Sequence, residues 1–90
     1  MNADRNNPTC SGDLEIRKAG NEVLVHHPAG GQVHVLNEVA GRILELCDGT
    51  HSEPQIVAAI VAETNANAAI VEPDVAAILD RFRALGLVES

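Results

Sequence analysis

The run Gln32-Val33-His34-Val35-Leu36-Asn37-Glu38-Val39-Ala40-Gly41-Arg42-Ile43-Leu44-Glu45-Leu46-Cys47-Asp48-Gly49-Thr50 changes its period halfway along. Up to Leu36 the side chains alternate, with Val33 and Val35 on one face and His34 on the other, as in a half-buried strand. From Glu38 the apolar positions are Val39, Ala40, Ile43, Leu44 and Leu46 or Cys47, the spacing of an amphipathic helix. Asn37 stands at the junction, where its side chain can accept from the first free N–H groups of the helix. Asp48-Gly49 marks the stop, because glycine readily takes the left-handed conformation beyond a helix C-terminus.

Upstream, Leu14-Glu15-Ile16-Arg17-Lys18 also alternates, Gly20-Asn21 is a tight-turn pair, and Glu22 to His27 reads as a returning strand. Pro28-Ala29-Gly30-Gly31 is a second turn, so the first half predicts a three-stranded antiparallel meander. Its register stays open, since Val23-Leu24-Val25 is apolar on both faces. Downstream, Ser52-Glu53-Pro54-Gln55 is a capping box with proline in the first turn. The helix it opens is expected to run to about Glu63, burying Ile56, Val57, Ile60 and Val61. Thr64 to Ala69 reads as a connection. Pro73 then opens a third helix with Val75, Ile78, Leu79, Phe82 and Leu85 at helical spacing; Gly86 stops it and Leu87-Val88 folds back onto the core. Three strands followed by three helices hide their apolar faces by packing together, which predicts an α+β fold of winged helix-turn-helix type. Residues 1–13, rich in Asn, Asp, Pro and Ser, are expected as a flexible tail and residues 14–90 as one domain.

Ninety residues hold one core, and with Phe82 as the sole aromatic that core must be aliphatic. Six basic and thirteen acidic side chains give a net charge of −7, which repels phosphate backbones and anionic membranes and leaves no nucleic-acid or membrane partner expected. The N-terminal stretch lacks the apolar core of a secretory signal, and no run approaches a membrane span of about 20 residues. A cytoplasmic protein with two reduced thiols, Cys10 and Cys47, is the expectation.

The residues that could carry chemistry do not assemble on paper. His26 and His27 are neighbours on a strand and point to opposite faces, so only one of them can join His34, and two ligands are too few for zinc. Cys47 and His51 are a thiol and an imidazole four residues apart, but Asp48-Gly49 turns the chain between them. Gly30-Gly31 lacks the lysine and helix of a phosphate loop. Arg81 and Arg83 on the third helix sit among Glu72, Asp74 and Asp80, a poor match to a DNA-reading helix. No metal, no cofactor and no catalysis by this chain are expected. What remains is the sheet edge, whose unpaired N–H and C=O groups are a template for an added strand.

The ordered set Val35-Leu36-Asn37, Ala40, Ile43-Leu44, Leu46, Asp48-Gly49-Thr50, Ile56-Val57, Asp74-Val75, Leu79 and Leu85-Gly86-Leu87 resembles the PqqD family of peptide chaperones. More broadly it is similar to the RiPP recognition elements, which bind the leaders of ribosomally made, modified peptides. The likeness runs from about Leu14 to Glu89. It implies a non-catalytic domain that takes a precursor's leader as an added strand and presents it to a radical S-adenosylmethionine enzyme, in PQQ biosynthesis or a related pathway. By position, the strand Gln32, Val33, His34, Val35 and Leu36 would offer the edge. Val75, Ile78, Leu79, Arg81, Phe82 and Arg83 on the third helix would form the opposite wall, with some of these residues facing the core instead. Pro28-Ala29-Gly30-Gly31, where members often carry Pro-Glu, and the segment Asn65 to Ala69 depart from the family pattern. An open edge also permits strand exchange between two copies, hence a homodimer. The rival from another class is an acidic winged-helix regulator that contacts DNA or another protein.

Overall fold

The computed structural model describes residues 7–28 and 30–89. The first six residues of the expected tail, Ala29 of the second turn and Ser90 lie outside the described residues.

Strands β2 (Glu15–Ala19), β3 (Glu22–His27) and β4 (Gln32–Asn37) form an antiparallel sheet in the order β2-β3-β4, the expected meander. Its register aligns Ile16 with Val25 and His34, and Lys18 with Val23 and Leu36. Val23, Val25 and Leu36 are buried, so this is the face toward the helices. Arg17, Leu24 and Val35, with Glu15, His26 and Val33, share the outer face. The ambiguity of Val23-Leu24-Val25 is thus settled by the helices, which cover one side of the sheet.

Helix α1 (Glu38–Leu46) begins as its sequence dictates, with the Asn37 carboxamide oxygen accepting from the Ala40 N–H at 2.8 Å. Helix α2 (Glu53–Thr64) carries the full capping box: the Gln55 N–H donates to Ser52 Oγ at 3.3 Å and the Ser52 N–H to Gln55 Oε1 at 2.8 Å. Helix α3 (Ala68–Ala84) starts five residues before the expected Pro73. Asn67 caps it by accepting from the Ala69 N–H at 2.8 Å. Alanine is the strongest helix former, and Ala68-Ala69 extend the helix upstream of the proline. Pro73 has no N–H to offer the Ala69 carbonyl, but Ala69 is exposed and water can take that place.

The helical faces differ from expectation in detail. Val39 is exposed at 41%, Val61 is only half-buried, and Leu85 is the C-cap of α3 at 38% exposure. Val71, read as part of no face, is buried. At the end of α3, Gly86 has φ of +75°, its N–H donates to the Arg83 carbonyl at 3.1 Å, and the Leu87 N–H donates to the Phe82 carbonyl at 2.9 Å. This pairing is a Schellman motif, and its usual apolar contact is supplied by Leu87 and Phe82, both buried. Leu87-Val88 therefore returns to the core as expected.

The N-terminal stretch departs most from its reading as a tail. Thr9–Cys10 forms β1, paired antiparallel with β5 (Val88–Glu89), and Pro8 is fully buried. The Cys10 N–H donates to the Cys47 carbonyl at 2.8 Å, the Ser11 N–H to the Leu87 carbonyl at 3.0 Å, and the Gly49 N–H to the Pro8 carbonyl at 3.0 Å. The first of these bonds satisfies the carbonyl of Cys47, the C-cap of α1, and the second that of Leu87, just past the end of α3. Among the described residues, no helix is long and apolar enough to cross a membrane.

Candidate functional site

Among the described residues strand β4 is an edge of the sheet, so alternate N–H and C=O groups along it lack a strand partner there. Val33 and Val35 project from its outer face at 61% and 58% exposure, with the half-buried Leu24 beside them. An exposed β-branched pair on an unpaired edge is what sheet proteins usually avoid, since it invites a further strand.

Beyond the C-terminal end of β4 lies a cleft of about 340 Å³. Asn37 and Val39 line it from one side, Asp74, Ala77 and Ile78 of α3 from the other, and the buried Ile43 and Ile60 lie at its base. On α3, Ile70, Asp74, Ala77, Ile78, Arg81 and Leu85 recur at three- and four-residue intervals and so form one stripe. All are exposed except Ile78, which is half-buried, and Ile70 reaches 62%. The stripe is apolar at both ends and charged between.

The third-helix residues singled out by position therefore divide. Ile78, Arg81 and Arg83 reach the surface, and Arg83 is held by Asp80 at 3.1 Å. Arg81 makes no ion pair among the described residues. Leu79 and Phe82, as well as Leu36 on β4, are buried in the core; Val75 is buried as well but lines the cleft, together with Val71. Leu36, Leu79 and Phe82 are not part of the cleft lining. Val39, Ala77 and Asp74 do line the cleft and were not singled out. Their signal was weak, because Val39 has the right spacing for the core and Ala77 and Asp74 resemble ordinary helix surface.

The polar groups considered for chemistry are spent elsewhere. Burial pushes the Cys47 thiol up to about 12, and its Sγ–H points at the Ile43 carbonyl at 3.2 Å. His51 Nδ1 lies 3.1 Å from Asp48 Oδ1, which also accepts from the Thr50 N–H at 2.9 Å and the Thr50 hydroxyl at 2.6 Å. Those hydrogen bonds, first the Thr50 hydroxyl, lower the Asp48 carboxyl to about 2. His26 faces Glu15 at 3.5 Å on the outer face, apart from His34 on the inner one. Among the described residues there is no group of three His, Cys, Asp or Glu side chains that could hold a metal.

The family profile of coenzyme PQQ synthesis protein D (PqqD) matches residues 22–88. The chain belongs to the PqqD family. That match spans β3 through β5, and so includes the open edge, the cleft and the α3 stripe. Two solved structures share the fold of this PqqD-family chain. One is TbiB1 in complex with the TbiA(beta) leader peptide, 27% identical, with a TM-score of 0.80 over 91% of this chain and 95% of that one. The other is lasso peptide synthetase B1 complexed with the leader peptide, 15% identical, with a TM-score of 0.79 over 93% of this chain and 99% of that one. A search of curated protein sequences returned no match.

Proposed function

We propose that this PqqD-family chain is a non-catalytic recognition domain that captures the leader of a ribosomally made precursor peptide and presents it to a modifying enzyme. The observation that carries the reading is the unpaired β4 edge beside an apolar cleft, in a chain whose fold follows TbiB1 with its leader peptide along nearly its whole length. The leader adds as a strand along the backbone of Gln32 to Leu36. Main-chain bonds supply affinity there without regard to sequence. Val39, Ala77 and Ile78 receive apolar side chains, and Arg81 meets an acidic or polar group. Arg83, already paired with Asp80, contributes less.

The chemistry belongs to the partner, a radical S-adenosylmethionine enzyme in the pathways that the PqqD likeness implies, working in the cytoplasm. On this reading the chain's own thiols and histidines take no part. A charge of −7 favours a precursor or enzyme with a basic surface over DNA.

The test is a backbone-amide NMR titration with the precursor peptide encoded beside this chain. Shifts are expected at Gln32–Leu36 and along the Ile70 to Leu85 stripe. Val35→Pro removes a backbone donor from the edge strand, and a folded Val35→Pro domain should lose capture. Undiminished binding by that variant, or no shifts with the wild-type domain, would remove the basis for strand addition. Retention on DNA at low salt would favour the regulator reading instead.

A further inference from the structure

Among the described residues, His34 Nε2 is a buried side-chain nitrogen with no hydrogen-bond partner. Buried polar atoms in folded proteins are nearly always paired, so an orphan calls for a reason. His34 lies on the inner face of β4, directly across from Val25 and in one row with Ile16. Val25 is fully buried, and Leu36, two residues on along the same face, is buried as well. The side chains of Ile16, Val25 and Leu36 carry no polar atom that could pair with Nε2. On its other flank the backbone of His34 has no strand partner among the described residues, because β4 is the edge of its sheet.

A strand added to that edge places one residue directly opposite His34 on the same face, with Cβ atoms about 4.5–5.5 Å apart. Resting on the peptide-capture reading, we infer that His34 selects the side chain at that position of the bound peptide, and that this side chain is a hydroxyl or a carboxamide. Either group both donates and accepts, so it satisfies Nε2 in whichever tautomer the imidazole adopts. A charged side chain would have to be desolvated beside Val25 and Leu36, which disfavours it. An aliphatic one would leave Nε2 unpaired and seal it further from water. Strand addition alone reads no sequence; His34 supplies a polar checkpoint on the inner face of the sheet.

The probe is a display library of randomised twelve-residue peptides, selected in parallel on the wild-type domain and on His34→Phe, which keeps a flat ring and removes both nitrogens. The wild-type selection should enrich Ser, Thr, Asn or Gln at one position of an extended motif. On His34→Phe that position should turn apolar while the rest of the motif stays. In synthetic peptides carrying the motif, replacing that residue by Val should weaken binding to the wild-type domain about three- to tenfold, and to the variant less than about twofold. His34→Leu serves the same purpose if His34→Phe does not fold. One motif shared by wild-type and variant would overturn the inference, with a bound water then serving Nε2. No motif from either folded domain would overturn peptide capture itself, and this inference with it.

Discussion

Val23 on β3 and Gly41 on α1 are in such close contact that a Cβ on the glycine would stand 2.3 Å from Val23 Cγ2 and 2.8 Å from Val23 Cβ. The first helix thereby lies directly on the sheet and sets the angle at which the chain leaves β4. Gly41→Ala adds helix propensity of about 1 kcal/mol, against an overpacking cost of about 1–3 kcal/mol. The clash includes the branched Cβ of Val23, which has no free rotation to escape by. A net loss of about 1 kcal/mol is expected, read as a lower urea midpoint. Val23→Ala in the Gly41→Ala background should recover less than its own cavity costs elsewhere; strict additivity of the two changes would show that α1 shifts freely.

Phe82 and Arg81 are adjacent in sequence but sit on different sides of α3. Phe82 is 1% exposed in the aliphatic core, so Phe82→Ala should cost about 3–5 kcal/mol and leave little folded protein at 37 °C. Arg81→Ala should change stability by no more than about 0.5 kcal/mol while weakening peptide binding. Thermal melts paired with a binding titration separate the two. Equal losses of stability would contradict the assigned helical faces.

The thiols should be slow to alkylate. Cys47 is 1% exposed and held near 12 by burial, and burial raises the Cys10 thiol as well. At pH 8 in the native state, iodoacetamide should modify Cys10 before Cys47, and both should react promptly only in denaturant. A folded value above the unfolded one means that unfolding releases a proton in alkaline solution. The Cys47 contribution to stability is therefore complete below pH 9 and is lost as pH rises from about 9 toward 12. Mass spectrometry of time-quenched samples and an alkaline series of urea melts test both statements.

Asp48 should show the opposite pH dependence. Its carboxyl is lowered from the ordinary 3.8 to about 2 by the Thr50 and His51 hydrogen bonds. The unfolded chain binds the proton first, so this stabilisation is present above pH 4 and is lost as pH falls from about 4 to 2. A carbon-detected NMR titration should give Asp48 the more acidic midpoint compared with an ordinary aspartate. In Asp48→Asn the acid sensitivity of the turn between α1 and α2 should shrink. An Asp48 midpoint near 4 would show that the turn is open in solution.

Local chemistry settled the segments whose partners lie within a few residues. Asn37 with Ala40, Ser52 with Gln55, and Gly86 with Arg83 are contacts across three residues, and their donors and acceptors are spelled out in the chain. The alternation of Leu14 to Lys18 and Gln32 to Leu36, with the turn pairs between the strands, made the sheet legible in the same way. The open strand edge followed from having a sheet of three strands. His34 was visible as an inward or outward residue, but its orphaned nitrogen was not.

Sequence alone placed β2, β3, β4, α1 and α2 closely and pointed to an α+β domain of PqqD type, but it missed β1, β5 and the first turn of α3. Tertiary structure alone decided which sides of the elements meet. Helix α3 has apolar residues around most of its circumference, so spacing could not choose between Phe82 and Ile78 as core or groove; contact with α2 and β5 did. Thr9–Cys10 carries no strand signal of its own, and its pairing depends on Val88 and on the Cys47 carbonyl, both far away in the chain. Capping is a short-range hydrogen-bond problem, while burial is set by surfaces that become neighbours only after folding.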